Sequence, residues 1–329
     1  MENEKDIVES LLRAAGRRAE PPQEVHRQVF AAASAAFREK SARRRQGRWV
    51  AFAAAAAVLM LAVAAVLQWT TPADDRGVLA RVERSVGGVE QATGDEWQAI
   101  DGSRASLGPG ARLRKLAHGR AALTLAGGES LRLAGDTEVM LDAPGRIYVQ
   151  RGTVYVDSGA RAAAARLEIV TPAGTARDLG TQFELQVDGA ALRLRVREGI
   201  VAIDHGGQSH TGSAGEQIAI GPLGGVSRER IAPDSPAWEW AESIAPAPDM
   251  DGKPANLLIA WVARETGRRL RYESPFIEQR AATVILHGNI RNLAPLAALE
   301  AMLATTDLEC VLQGDTMEIR TRDFVTHDP

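Results

Sequence analysis

The sequence predicts a single-pass membrane protein in four parts: a short α-helical segment, one transmembrane helix, an all-β domain and a small α/β domain at the C-terminus. Three observations lead there. Nineteen consecutive uncharged residues, Trp49 to Leu67, lie between the basic cluster Arg43, Arg44, Arg45 and Arg48 and the acidic pair Asp74 and Asp75. Beyond them, glycine turns separate short runs in which apolar and polar residues alternate. Towards the C-terminus the apolar spacing switches back and forth between helical and strand periods. The resulting division is 1–48, 49–69, 77–225, a linker over 226–249, 250–322 and a tail over 323–329.

As a helix the uncharged stretch spans roughly 28 Å at ~1.5 Å per residue, close to a ~30 Å hydrocarbon core, with Trp49 and Trp69 at the two interfaces. The arginines before it hold residues 1–48 in the cytoplasm and place about 260 residues on the far side. A cleaved signal peptide is the first competing explanation, since Ala62-Val63-Ala64 has the small residues of a cleavage site. Against it stand the 48 residues that precede the stretch and the length of the stretch itself. A buried core helix is the second, but an apolar surface on every side suits lipid better.

Residues 1–48 carry two short amphipathic patterns. Ile7, Leu11, Leu12 and Ala15 recur at helical spacing, Pro21-Pro22 interrupts, and Val25, Val29, Phe30 and Ala33 resume it. Helices of this length are marginal in water without a surface to pack on. The segment therefore either orders on a partner or serves as a charged leader that only orients the anchor. A formal net charge of −3 gives no sign of direct nucleic-acid binding. Cys310 is the one cysteine, so no intramolecular disulfide is available, and its apolar run Leu308-Glu309-Cys310-Val311-Leu312 predicts a buried strand residue.

The all-β expectation for residues 77–225 rests on runs such as Ala122 to Leu125 and Ser130 to Leu133, joined through Gly127-Gly128-Glu129. Others follow at Glu138 to Leu141, Ile147 to Val149, Thr153 to Val156, Leu167 to Val170, Phe183 to Val187, Leu192 to Val196, Ile200 to Ile203 and Gln217 to Ile220. An internal echo relates Val149 to Asp157 (VQRGTVYVD) to Val196 to Asp204 (VREGIVAID), with Gly152 and Gly199 at the same position of two strand-turn-strand units.

In the C-terminal part Leu257, Leu258, Trp261 and Val262 make a helix face ended by Gly267, and a strand follows at Leu270 to Tyr272. A second unit repeats the order: a strand over Thr283 to Leu286, a helix opened by Pro295 with Leu296, Leu299, Met302 and Leu303 on one face, and a hairpin of Leu308 to Leu312 with Met317 to Ile319 around Gly314-Asp315.

Four stretches then carry a family resemblance: Val170-Thr171-Pro172, Leu179 to Leu185 (LGTQFEL), Val196 to Val201 (VREGIV) and Ala214 to Gln217 (AGEQ). Together they resemble the hallmark run of the FecR domain, of the ferric-citrate regulator family, and 250–322 is similar to the short secretin and TonB N-terminal domain. The resemblance covers the anchor and nearly everything beyond it. It implies an anti-sigma segment in the cytoplasm, one span of the bacterial inner membrane, a periplasmic FecR domain and a periplasmic signalling module. The implied partners are an extracytoplasmic-function sigma factor inside and the N-terminal signalling domain of a TonB-dependent outer-membrane receptor outside. The sigma-binding face falls on Val25, Val29 and Phe30, assisted by Leu11 and Leu12, as apolar anchors rimmed by arginines. The chain departs from the family in its short N-terminal segment, which has no tryptophan before residue 49.

Enzymatic motifs are sparse. The six histidines, His26, His118, His205, His210, His287 and His327, show no metal-ligand spacing, and neither a phosphate loop nor a G-x-S-x-G elbow is present. No cofactor and no metal is expected. Some FecR-like regulators cut themselves at a Gly-Thr bond, and Gly180-Thr181 occupies the matching place; alternatively Gly180 only makes a tight bend and Thr181 only closes a strand. Two functions remain open: a transmembrane regulator of a sigma factor, or an anchored periplasmic binding or scaffold protein.

Overall fold

The structure is a computed structural model that describes residues 77–100, 105–159, 167–178 and 180–322. The segment 1–48 with Leu11, Leu12, Val25, Val29 and Phe30, the span 49–69 and the tail 323–329 lie outside the described residues. Among those described, no helix is long and apolar enough to cross a membrane.

Period-two alternation dominates the chain from Ala80 to Arg230 and produces seventeen strands among the described residues. Strand pairing divides them between two sheets. In the first, the order is Ser106–Leu107, Ala80–Val86, Arg120–Leu125, Ser130–Leu133, the second half of Arg146–Asp157, then Gln182–Asp188, Ala191–Glu198, Glu216–Ile220 and Val226–Arg230. In the second, the order is Glu96–Ile100, Val89–Thr93, Arg112–Lys115, Thr137–Ala143, the first half of Arg146–Asp157, Glu168–Thr171, Gly174–Asp178, Ile200–His205 and Gln208–Ser213. All neighbours are antiparallel except Glu168–Thr171, which runs parallel to Arg146–Asp157. Apolar residues of both sheets, among them Leu113, Leu131, Val149, Val156, Phe183, Val196 and Ile203, share one core.

The echoed glycines are where the chain changes sheets. At Gly152 it passes from the second sheet to the first, and at Gly199 from the first to the second. Both have positive φ, +96° and +82°, which a side chain disfavours. Both also lie against backbone. A Cβ at Gly152 would fall 2.5 Å from the Thr137 Cα, and one at Gly199 would fall 2.8 Å from the Gly180 carbonyl oxygen and 2.5 Å from the Thr181 Cγ2. The two threonines are thus equivalent parts of the two units.

The segment expected as a linker, 226–249, is largely structured. Val226–Arg230 adds a strand to the first sheet beyond residue 225. A 3₁₀ turn, Pro236–Trp238, then runs into the short helix Glu239–Glu242, with Trp238, Ala241 and Ile244 buried. Alternation could not show the added strand, because every residue of Val-Ser-Arg-Glu-Arg is exposed.

The C-terminal part has helices Ala255–Thr266, Pro275–Thr283 and Pro295–Leu303 on two small sheets. Lys253–Pro254 pairs with Ile285–Leu286, and Thr316–Thr321 lies between Leu308–Gln313 and, in parallel, Arg269–Tyr272. The middle helix corrects the strand expected from Thr283: that residue ends a helix started by Ser274, whose hydroxyl accepts from the Ile277 amide, and by Pro275. The buried face of Ala255–Thr266 is Ala255, Leu258, Ile259, Val262 and Ala263, while Leu257 points to solvent. Cys310 is half-buried, and burial pushes its thiol up to about 11.

The bends set a stability test. Gly152→Ala and Gly199→Ala are each expected to cost about 2 kcal/mol or more, from strained φ added to overlap with fixed neighbours. Gly189→Ala, also at positive φ but with open space around it, is expected to cost less. Denaturant midpoints of the three variants check this order.

Candidate functional site at the junction of the two modules

The outward face of the first sheet carries charges at alternating positions, as a solvated strand would. Across four strands they line up in one row, Arg132, Tyr155, Glu184 and Arg195, and the next row along holds Ser130, Asp157, Gln182 and Glu198. Apart from Glu198, which stays exposed, water does not cover these rows. The segment 231–245 and the end of helix Ala255–Thr266 do, so the face becomes an interior.

A helix end leaves carbonyls without partners and carries partial negative charge, so a cation there is favourable twice over. Arg197 supplies one. Its Nη1 donates to the Glu265 carbonyl at 2.6 Å, its Nε to the Pro233 carbonyl at 2.6 Å and its Nη2 to Glu242 at 2.5 Å. Arg132, fully excluded from solvent, supplies the second. Its Nη2 donates to the Glu265 carboxylate at 2.9 Å, and its Nη1 reaches the other carboxylate oxygen at 2.8 Å and the Ala241 carbonyl at 3.0 Å. The contact to the second carboxylate oxygen is an ion pair at close range rather than a hydrogen bond, so the pair rests on one charge-assisted hydrogen bond and on proximity of the charges.

Aromatic rings fill the space between the cations. The Arg132 guanidinium stands 4.9 Å from the centre of the Tyr155 ring and that of Arg197 stands 5.2 Å from Trp238, and the two rings meet edge-on at 6.1 Å. Burial pushes the Tyr155 phenol strongly up, so it stays neutral. Trp240 donates to Glu184 at 2.7 Å, and Glu184 also accepts from Arg195 at 2.9 Å.

At the edge of the junction Arg264 reaches Asp157 at 2.5 Å and Glu198 at 2.7 Å. Burial alone would raise the Asp157 carboxyl. The Arg264 guanidinium, with Gln182 and the Gly159 amide, holds it below the usual carboxylate range. For Glu242 burial prevails over Arg197, and its carboxyl is raised.

Gly180 and Thr181 lie beside this edge. Gly180 is exposed at φ +91°, and Thr181 is buried. The Thr181 hydroxyl donates to the Asp178 carboxylate, which also accepts from the Ser158 hydroxyl and, at 2.8 Å, from the Gly180 amide. Thr137, its counterpart, donates instead to the Thr153 carbonyl at 3.1 Å. His205 and His210 sit on one hairpin, and no group of three metal-ligating side chains occurs among the described residues.

Sequence reasoning singled out Gly180 and Thr181 and missed Arg132, Tyr155, Arg197, Glu242, Glu265 and Arg264. The available signal was Arg132 in Ser-Leu-Arg-Leu, but outward alternation looks the same whether water or protein lies outside.

Residues 111–202 match the model of the FecR protein family. This part of the chain is a FecR domain. Arg132, Tyr155, Asp157, Gly180, Thr181, Arg197 and Glu198 all belong to it, whereas Glu242, Arg264 and Glu265 come from the chain beyond. Two crystal structures of an anti-sigma factor candidate from Parabacteroides distasonis ATCC 8503, at 2.50 and 1.65 Å resolution, are each 14% identical to the chain with a TM-score of 0.36. They cover 64% of this chain and 98% and 99% of their own. No curated protein matches the sequence.

The FecR domain and the C-terminal module are thus joined by a buried ion pair that tolerates no half-removal. Arg132→Met is expected to cost about 3–5 kcal/mol, because Glu265 is left charged and dry, and Arg132→Met with Glu265→Leu is expected to regain most of it. Denaturant unfolding of the two variants, read as a double-mutant cycle, tests the coupling.

Proposed function

We propose that this chain is a transmembrane regulator of an extracytoplasmic-function sigma factor. The observation that carries the proposal is the FecR domain at 111–202, set between an uncharged 19-residue stretch and a small α/β module. In this reading residues 49–69 cross the bacterial inner membrane once, with the N-terminus in the cytoplasm and the C-terminus in the periplasm. The signalling domain of a TonB-dependent outer-membrane receptor meets the C-terminal module. The signal passes through the junction and the FecR domain to the anchor, and residues 1–48 hold the sigma factor through Val25, Val29, Phe30, Leu11 and Leu12. No cofactor takes part.

A single span has no two-state element of its own, so proteolytic release of the cytoplasmic segment is the simplest way to pass the signal. Self-cleavage at Gly180-Thr181 is a second reading, and the contact between the Thr181 hydroxyl and the Asp178 carboxylate favours it. The hydroxyl oxygen attacks the Gly180 carbonyl carbon through a five-membered ring, and the proton it loses ends on the threonine nitrogen as the C–N bond breaks. Water then hydrolyses the ester, leaving a Gly180 carboxylate and a free Thr181 amine.

The regulator reading is tested by capturing the tagged full-length chain from its native host. Recovery of a sigma factor with the wild type and its loss with Phe30→Asp is the expected result. Recovery of periplasmic partners alone would replace the regulator with an anchored scaffold. For self-cleavage, two fragments on a denaturing gel are expected from the wild type and one intact band from Thr181→Ala. One intact band from both would end that reading.

A further inference from the structure

Asp157 and Glu198 are the register partners of Gln182 on its two sides, Asp157 on Arg146–Asp157 and Glu198 on Ala191–Glu198. Gln182 directly follows the Gly180-Thr181 pair and begins the strand between them. Arg264, from the last turn of helix Ala255–Thr266, holds both carboxylates at once. One side chain of the C-terminal module therefore bridges the two strands that flank the end of the Gly180-Thr181 bend.

Three further bonds tie that bridge to the bend. Gln182 donates to the second Asp157 oxygen at 2.9 Å, the Gly159 amide donates to the first at 2.8 Å, and the Ser158 amide donates to the Thr181 carbonyl at 3.0 Å. Ser158 also donates through its hydroxyl to Asp178, the acceptor of the Thr181 hydroxyl. A displacement of Asp157 thus moves Ser158 and, with it, two contacts of the bend.

The other unit of the echo provides an internal comparison. The counterpart of Asp157 is Asp204, and its arginine partner, Arg177, belongs to the same sheet. Only the Asp157 copy takes its arginine from the C-terminal module.

We propose that Arg264 is a positioning residue through which docking of the C-terminal module keeps the Gly180-Thr181 bend closed, so that undocking the module frees it. The contacts stand apart from any chemistry at the bend; the consequence, control of cleavage, rests on the self-cleavage reading above. Arg264 touches neither reacting atom and acts through Asp157 and Glu198. Its forked geometry, one guanidinium nitrogen to each carboxylate, is what a lysine cannot reproduce.

The test is hydrogen exchange on the intact full-length chain in detergent. Arg264→Ala is expected to speed exchange about tenfold in peptides covering 153–159 and 180–188, with no change in the distant strands Val89–Thr93 and Glu96–Ile100, and Arg264→Lys is expected to fall between. Unchanged exchange at the bend, or an equal rise across the whole FecR domain, would overturn the proposal. Gel analysis separates the two ideas. If wild type and Thr181→Ala are both intact, the cleavage reading fails and exchange alone decides the clamp. If the wild type is cut, Arg264→Ala is expected to raise the cut fraction severalfold and Arg264→Ala with Thr181→Ala to remain intact; a cut fraction that Arg264→Ala leaves unchanged would overturn the control of cleavage.

Discussion

The docking of the C-terminal module depends on two arginines of the FecR domain meeting the end of one helix. Arg132 and Arg197 are taken almost wholly out of water, a large cost that only full pairing offsets. Glu265 offers a carboxylate to one and a carbonyl to the other, while Ala241, Pro233, Glu242 and Ser130 accept further bonds from the two guanidinium groups. The partners come from the segment 231–245 and from the helix together, so neither can be moved alone without leaving a charge unpaired. That makes the junction an all-or-none contact.

The β-sandwich, of which the FecR domain at 111–202 is part, forms the base of this contact. Its two sheets share one apolar core, and its chain crosses between them at two glycines that admit no side chain without strain. The crossings place Tyr155 and Asp157 just after one bend and Arg197 and Glu198 just before the other. The same duplication that builds the sandwich therefore sets the spacing of the junction residues.

The units are equivalent in backbone and different in chemistry. At one bend a threonine hydroxyl is satisfied by backbone. At the other it faces a buried carboxylate, next to a strand end held by an arginine of the C-terminal module. Repetition gives the fold, and the two units depart from it in the group that meets the threonine hydroxyl.

Much of the architecture was legible in the sequence because local periodicity reports local structure. Alternation located most strands of the sandwich, the echo located both crossing glycines, and Pro295 and Gly267 marked helix ends. Helix Pro275–Thr283 escaped because it buries only Ile277 and Ala281, too few residues to leave a helical pattern. The junction could not be read at all. Arg132 and Glu265 are 133 residues apart, and a charge on the outer face of a strand carries the same sequence signal whether it meets water or a helix end. The sequence by itself determined which residues point inward and where the chain bends, since those follow from neighbours in the chain. Only the tertiary structure decided which outward face would be covered, because burial of a charge depends on a partner that arrives from far along the chain.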